Sequence, residues 1–444
     1  AKKAAPRGRA ARVKGASAGR PVYLVDGART PFLRARGKPG PFTPVDLAVQ
    51  CGRPLLMRQP FAPDSFDTVI LGCVNVVADE MNPARVAALR LGMGEAMTAF
   101  TVQINCGSGM QSIDSAFRLI EGGKAELILA GGTEALSHAP LVLRDEAVDW
   151  LAGMQKSSNP LATAQSAVRI RPSHLKPVVG LERGLTDPIT DLSMGQTAEL
   201  LAHHFGITRQ MADAYSVESH KRLAAAQEAG TLDGEVLPAF DRDGKVYRRD
   251  DGVRADSIIK KLGGLKPVFE KPFGRVTAGN ASQVTDGASW CILASGEAVA
   301  RHGLRPLARL VDSEWAALDP AVMGLGPVMS VTPMLQRRGL SATDIDLWEI
   351  NEAFAAQVLA CLAAWQDDDF CRQVLGLEAP FGAIARDRLN IHGGAIALGH
   401  PVGTSGNRIV LHLANAMQAT GKKRGVATEC IGGGQGGAMI LEAP

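Results

Sequence analysis

A chain of 444 residues with an apolar fraction of 46% suits about two to four domains, or one large fold built from two halves, and can bury a sizeable core. Net charge is +3, but residues 1–20 hold seven basic side chains (Lys2, Lys3, Arg7, Arg9, Arg12, Lys14 and Arg20) and no acid, so the body of the chain is mildly acidic. No basic face is interleaved with aromatics and no apolar run reaches about 18 residues, which excludes nucleic-acid partners and a membrane-spanning helix.

The basic, Ala-rich leader has the composition of a transit peptide, but it has few large apolar residues. A solvated arm is therefore expected. Seven cysteines are scattered without any C-x-x-C pair (Cys51, Cys73, Cys106, Cys291, Cys361, Cys371, Cys430), which argues against zinc and for mostly buried thiols in a reducing compartment. That compartment is expected to be the cytoplasm, or the mitochondrial matrix in a eukaryote. The adjacent His203 and His204 have the wrong spacing for one metal-binding helix face.

After the leader, 21–25 reads as a first strand. The nearly unbroken apolar run 66–74 reads as a strand buried on both faces. Residues 85–91 look helical, and 100–104 form a short strand leading into Cys106. Met110, Ile113, Phe117 and Ile120 then fall at helical spacing. A strand over 126–130 is expected to end at Gly131-Gly132-Thr133-Glu134. This β-α-β alternation predicts an α/β fold. The same grammar returns after residue 340, with strands at 344–350, before Asn390, at 425–429 and at 438–441, and a helix from about Ser405. A weak internal duplication follows. Between the halves, 135–275 reads as an inserted loop domain, with a clear helix over 211–228 and a charged turn over 241–251. The expected division is a leader (1–20), an N-terminal half (21–134 with 276–300), the loop domain (135–275) and a C-terminal half (301–444).

Three reactive residues lie in beds of glycine: Cys106 in N-C-G-S-G-M, His400 in G-G-A-I-A-L-G-H-P and Cys430 in E-C-I-G-G-G-Q-G. Glycine lets a backbone approach a substrate and turns its N–H groups toward developing charge. Cys106 precedes a helix, whose dipole is expected to lower the thiol pKa. His400 fits the base that activates a thiol, with His392 as a competitor. Cys430 fits a general acid or base on carbon. Asn351, in N-E-A-F-A-A, fits a group that holds a water or donates to an oxygen, and equally a helix N-cap. Each position alone also fits a packed structural residue.

Taken in order, N-C-G-S-G, N-E-A-F-A, G-G-A-I-A-L-G-H-P and C-I-G-G-G-Q-G resemble the four signature blocks of the thiolases. A-R-T-P-F (28–32) and T-A-G-N-A-S (277–282) extend the resemblance over nearly the whole chain beyond the leader. It implies the thiolase fold: two similar α-β-α-β-α halves with mixed five-stranded sheets, plus a loop domain. It also implies acyl transfer on a 3-oxoacyl-CoA, with coenzyme A as co-substrate and no other cofactor. Cys106 would carry the acyl group, His400 would assist it, and Cys430 would move the proton on carbon. His400 with a water on Asn351 would form one oxyanion hole, and the N–H groups of Cys106 and Gly432 the other. Ser282, Arg254, Met194 and Met323 match substrate and CoA contacts. Ser193 and His392 depart from common thiolase residues and bear on acyl specificity. The 135–192 segment resembles the membrane-facing insertion of thiolase subunits in bacterial oxidation complexes, and Lys156, Arg169, Arg171, Lys176 and Arg183 fit surface docking. A homodimer or homotetramer, a hydratase/dehydrogenase partner subunit and a role in fatty-acid β-oxidation are implied. The alternatives are an acetoacetyl-CoA-specific acetyltransferase, a decarboxylating ketoacyl synthase, which needs no second cysteine, and a non-catalytic lipid-binding subunit.

Overall fold

The computed structural model describes residues 19–156 and 159–444, so the basic leader lies outside the described residues except for Gly19 and Arg20. Its sheet strands are β1 (Val22–Arg29), β2 (Thr68–Gly72), β3 (Thr98–Val102), β4 (Leu127–Ala135), β5 (Thr285–Ser295), β6 (Ala308–Ala317), β7 (Leu347–Ile350), β8 (Arg424–Ile431) and β9 (Gln435–Glu442). The helices that frame the site are α1 (Pro44–Met57), α2 (Pro83–Arg90), α3 (Ser108–Glu121), α4 (Asp145–Gln155), α5 (Pro160–Val168), α6 (Gly180–Gly184), α7 (Met194–His204), α8 (Arg209–Glu228), α9 (Gly326–Arg337), α10 (Ala355–Ala364) and α11 (Val402–Thr420).

The strands run in the order β7-β8-β9-β6-β1-β5-β4-β2-β3. From β1 outward, β1–β5 and β5–β4 are antiparallel, then β4–β2 and β2–β3 are parallel. From β6 outward, β6–β9 and β9–β8 are antiparallel, then β8–β7 is parallel and Trp348 bridges Leu389 in parallel. The two halves thus share one topology and meet where β1 pairs antiparallel with β6 at Leu24 and Ala308.

Local chemistry repeats with the topology. Both β1 and β6 contain Leu-Val-Asp and break register there, between Leu24 and Asp26 and between Leu310 and Asp312. Each Asp then receives a two-pronged arginine. Arg58 after α1 donates to Asp26 at 2.8 and 2.6 Å, and Arg337 at the end of α9 donates to Asp312 at 2.8 and 2.9 Å. Each arginine also donates to the next backbone carbonyl at 2.8 Å.

Three cores explain the layers. One lies between α1, α2 and the outer face of the N-terminal strands. A second surrounds α3 and α11, which sit between the two halves of the sheet. The third lies between the C-terminal strands and α9 and α10. The result is the expected α-β-α-β-α stacking, although the N-terminal set of five strands and the C-terminal set of four strands and a bridge join edge to edge.

Two expectations need correction. The strand before Asn390 is reduced to one bridge. Asn390 adopts φ +45° and its amide replaces the ladder, accepting from Ile350 N and donating to Ile350 O, both at 2.9 Å. The strand expected to stop at Ala130 instead continues through the glycines to Ala135, because β5 pairs with it throughout. Gly131 and Gly132 serve contact rather than turning: a Cβ would meet the Trp290 ring at 2.2 Å and the Gly403 carbonyl at 2.3 Å.

The 135–192 segment forms α4, α5, α6 and a two-strand ribbon pairing Leu141 with Val179. The helix expected over 211–228 is α8, which starts two residues earlier behind a Thr208 cap. No described helix is long and apolar enough to cross a membrane.

Candidate active site

Cys106 stands in the turn between β3 and α3. Asn105 takes φ +46°, and its amide donates to Gly432 O at 2.8 Å, stitching the turn to the loop after β8. Gly107 allows the approach, since a Cβ there would lie 2.5 Å from the Ile431 side chain. The Ser108 hydroxyl donates to Asn105 O at 2.7 Å and locks the first turn of α3. After Cys430 and Ile431, Gly433 and Gly434 take φ of +90° and +79° and reverse the chain. This leaves the Gly432 N–H pointing at the Cys106 thiol, where the Cys106 N–H also points.

Cys106 is the one thiol that is not fully buried, and it opens onto a cavity of about 540 Å³. Asn75, Arg183, Ile189, Met194, Val402 and Gly432 are among its walls, with 180–189 of the insertion on the far side. Cys430, His400 and Asn351 are buried and do not form the cavity surface. Cys430 packs in a cluster with Met194 and Met323. Its thiol feels that of Cys106 electrostatically.

His400 reaches the site through α11. Gly403 and Thr404 at the start of that helix press on α3, where a Cβ on Gly109 would lie within 3.0 Å of three of α11's backbone atoms. The His400 Nδ1 lies 2.6 Å from the Ser405 hydroxyl and 3.4 Å from the Asn351 amide nitrogen. Its Nε2 and the Asn351 Oδ1 are buried without a protein partner. Asn351 N donates to Thr428 O at 2.9 Å, two residues before Cys430. Phe354 is the N-cap of α10, so Asn351 is not the cap.

The electrostatics correct the expectation of an acidified thiol. Burial pushes the Cys106 thiol up to about 11, and the Gly432 N–H only partly opposes it. Burial likewise raises Cys430 well above the usual thiol range, reinforced by Cys106, Cys361 and Glu429. His400 is held down to about 4, mainly by burial and then by the Arg408 charge. The resting site is therefore neutral at pH 7: two thiols and an imidazole. Desolvation of a thiolate outweighs one helix terminus, whose favourable interaction with an anion is about 2 kcal/mol at most.

Other expected residues separate from this centre. His392 lies 3.1 Å from His412, which pairs with Glu235 at 2.9 Å, so His392 belongs to a different buried network. Ser282 N donates to Ala353 O at 2.9 Å, and Arg254 N donates to His220 Nδ1 at 3.2 Å; neither lines the cavity. Ser193 caps α7. His203 and His204 are exposed, and no cluster of metal-ligand side chains occurs among the described residues.

Three residues at the site escaped the sequence reading. Ser405 looked like part of a small-residue loop. Glu134 looked like the end of a strand, yet its carboxylate accepts from three backbone N–H groups around the site. Glu429 precedes Cys430 and is buried with both oxygens lacking a protein partner, and burial raises its carboxyl well above the usual carboxylate range.

Residues 22–297 match the family profile for the thiolase N-terminal domain and 304–443 that for the thiolase C-terminal domain. The chain is 38% identical over 422 residues to an acetyl-CoA acetyltransferase of Escherichia coli, covering 94% of this chain and 98% of that protein. It is 38% identical over 427 residues to the mitochondrial 3-ketoacyl-CoA thiolase of Bos taurus, covering 95% and 98%. Among solved structures, human mitochondrial 3-ketoacyl-CoA thiolase superimposes with a TM-score of 0.82 at 35% identity, covering 96% of this chain and all (100%) of that one. The Bacillus anthracis acetyl-CoA acetyltransferase gives a TM-score of 0.82 at 35% identity, covering 97% and 100%. The chain belongs to the thiolase family and is an acyltransferase.

Proposed function

We propose that this chain cleaves 3-oxoacyl-CoA with coenzyme A, giving acetyl-CoA and a shortened acyl-CoA through an acyl-Cys106 intermediate. The observation that carries the reading is Cys106 opening onto a large cavity with the Gly432 N–H at its sulfur and Cys430 packed behind. In this reading His400 Nε2 takes the Cys106 proton as the sulfur attacks the 3-oxo carbon. The Gly432 and Cys106 N–H groups receive one oxyanion, and His400 with Asn351 receives the other. The C2–C3 bond breaks with its electrons on C2, and the Cys430 thiol protonates C2 to release acetyl-CoA. The coenzyme A thiol gives its proton to the Cys430 thiolate and attacks the acyl-Cys106 thioester. The Cys106 thiolate leaves and recovers its proton from His400. Reversal is a Claisen condensation. A high resting thiol pKa suits this sequence, because the thiolate forms only as the proton moves to His400.

Cavity volume and its many apolar walls support acyl chains longer than four carbons and a degradative role in β-oxidation. The segment 135–275 then acts as an inserted loop domain between halves at 21–134 with 276–300 and at 301–444. Met194 and Met323 would contact the thioester end, with Ser282 and Arg254 toward coenzyme A. Lys156, Arg169, Arg171, Lys176 and Arg183 are exposed beside exposed Leu161, Val168, Leu175 and Ile189, which supports peripheral membrane docking of 135–192. β3 is the outer strand of the sheet and exposes Phe100, which supports edge-to-edge assembly of two copies.

The test is a rate series for coenzyme A-dependent cleavage of 3-oxoacyl-CoAs from four carbons to long chains. Activity that persists or rises beyond four carbons is the expected result. A sharp preference for the four-carbon substrate would instead make the chain an acetoacetyl-CoA enzyme.

A further inference from the structure

Glu134 is buried near the end of β4, where no step of the proposed reaction uses it. Its Oε1 accepts from Asn75 N at 2.8 Å. Its Oε2 accepts from Val74 N at 3.2 Å and from Gly403 N at 2.9 Å. These donors come from two places. Val74 and Asn75 follow β2 in the N-terminal half and line the cavity. Gly403 lies in the first turn of α11, three residues after His400 in the C-terminal half, and neighbouring Val402 also lines the cavity. The fit leaves no slack: a Cβ on Gly403 would lie 2.8 Å from Glu134 Oε2, 2.9 Å from Thr133 O and 3.1 Å from Cys73 Cα.

We propose that Glu134 is a positioning residue for catalysis: its carboxylate clamps the loop that carries His400 onto the cavity wall beside Cys106. The inference rests on the thiolase reading of the site. A backbone N–H gives no grip unless an acceptor is aimed at it, and one ionised carboxylate here serves three. A displacement of about 1 Å between catalytic groups costs on the order of 100-fold in rate. Without the clamp, the first turn of α11 and the wall at Asn75 are joined at this point only by packing.

The clamp works fully only when the carboxyl is ionised, since a protonated oxygen is a donor facing donors. Burial raises the carboxyl to about 7 against the opposing pull of the three N–H groups. The titratable groups in its field are Asp286 from β5, Cys73 after β2 and Cys106 before α3. His400 sits near 4 and Cys106 near 11, so neither titrates around neutrality.

The test is Glu134→Gln, which keeps the shape but sets an amide NH₂ against an N–H. Thiolysis kcat and KM are read from pH 5.5 to 9, with the melting temperature at pH 8. The expected result is a kcat at least about tenfold lower with KM within about twofold, beside whatever fall in melting temperature the unpaired N–H groups bring. The acid limb of wild-type kcat near pH 7 is also expected to disappear. Wild-type kcat in the variant overturns the proposal, and so does a kcat loss that leaves the acid limb in place, which marks a merely structural residue. If the variant fails to fold, the wild-type profile decides: an acid limb centred near 7 supports the clamp and its absence overturns it. A wild type inactive on every 3-oxoacyl-CoA would instead sink the thiolase reading and the clamp with it.

Discussion

Ser405→Ala isolates what orients His400, the proposed base. In the structure the His400 imidazole is buried, and its one short contact is with the Ser405 hydroxyl, 2.6 Å from Nδ1. That hydroxyl also lies 3.3 Å from Pro401 O. It can donate to Pro401 while accepting from Nδ1–H, or rotate and donate to a bare Nδ1. The first arrangement fixes the Nδ1–H tautomer, which leaves Nε2 bare to receive a proton and stays unchanged when the ring returns it. Alanine leaves Nδ1 with only the Asn351 amide at 3.4 Å, too long for a strong bond. Leaving a buried polar nitrogen so poorly paired costs about 1–3 kcal/mol of stability. Loss of ring orientation is expected to lower kcat by about 10- to 100-fold, part of the 10²–10⁴ that general acid–base catalysis supplies. The assay pairs thiolysis kcat and KM with urea unfolding of the same samples. A variant that loses stability yet keeps kcat within twofold would show that packing alone orients His400, and the tautomer argument would fail.

Cys106→Ala is expected to take up no acyl label from a 3-oxoacyl-CoA. Cys430→Ala is expected to acquire label from a simple acyl-CoA at Cys106 but to fail in carbon–carbon cleavage; mass spectrometry of the intact protein separates the two, and full activity in either variant would refute the roles. Because the Cys106 thiol is held up to about 11, its iodoacetamide alkylation should climb about tenfold per pH unit from 7 to 9, the deprotonated fraction rising with pH throughout that window; a plateau below pH 8 would show an already ionised thiol. Gly109→Ala places a methyl 2.7 Å from Asn407 N and 2.9 Å from Thr404 O, so overpacking of about 2 kcal/mol should outweigh the roughly 1 kcal/mol helix gain of alanine. Thermal unfolding measures that balance, and a stabilised variant would disprove the backbone-to-backbone contact of α3 with α11.

Cys106, His400, Cys430 and Asn351 were legible because glycine and short motifs flank them, and these features are local. The alternation of strands and helices was legible for the same reason: apolar spacing reports which face of each element is buried. The duplication was visible only faintly in sequence, since matching halves share topology more than residues. In the structure it extends to the Leu-Val-Asp bulges of β1 and β6 and their arginines, which no spacing rule singles out.

What the sequence determined by itself is therefore the class of fold and the candidate reactive groups that it carries. The tertiary structure decided their protonation and their company. Cys106 looked acidified by its helix, but burial depends on what the other half of the chain brings against it, and desolvation wins. His392 and His400 are eight residues apart and compete on paper, with only flanking glycines favouring His400, yet one packs against His412 and the other against Ser405 and Asn351. Glu134 reads as an unremarkable strand end until Gly403, 269 residues away, is seen to donate to it. Long-range packing sets dielectric and hydrogen-bond partners, and neither is encoded in any window of neighbouring residues.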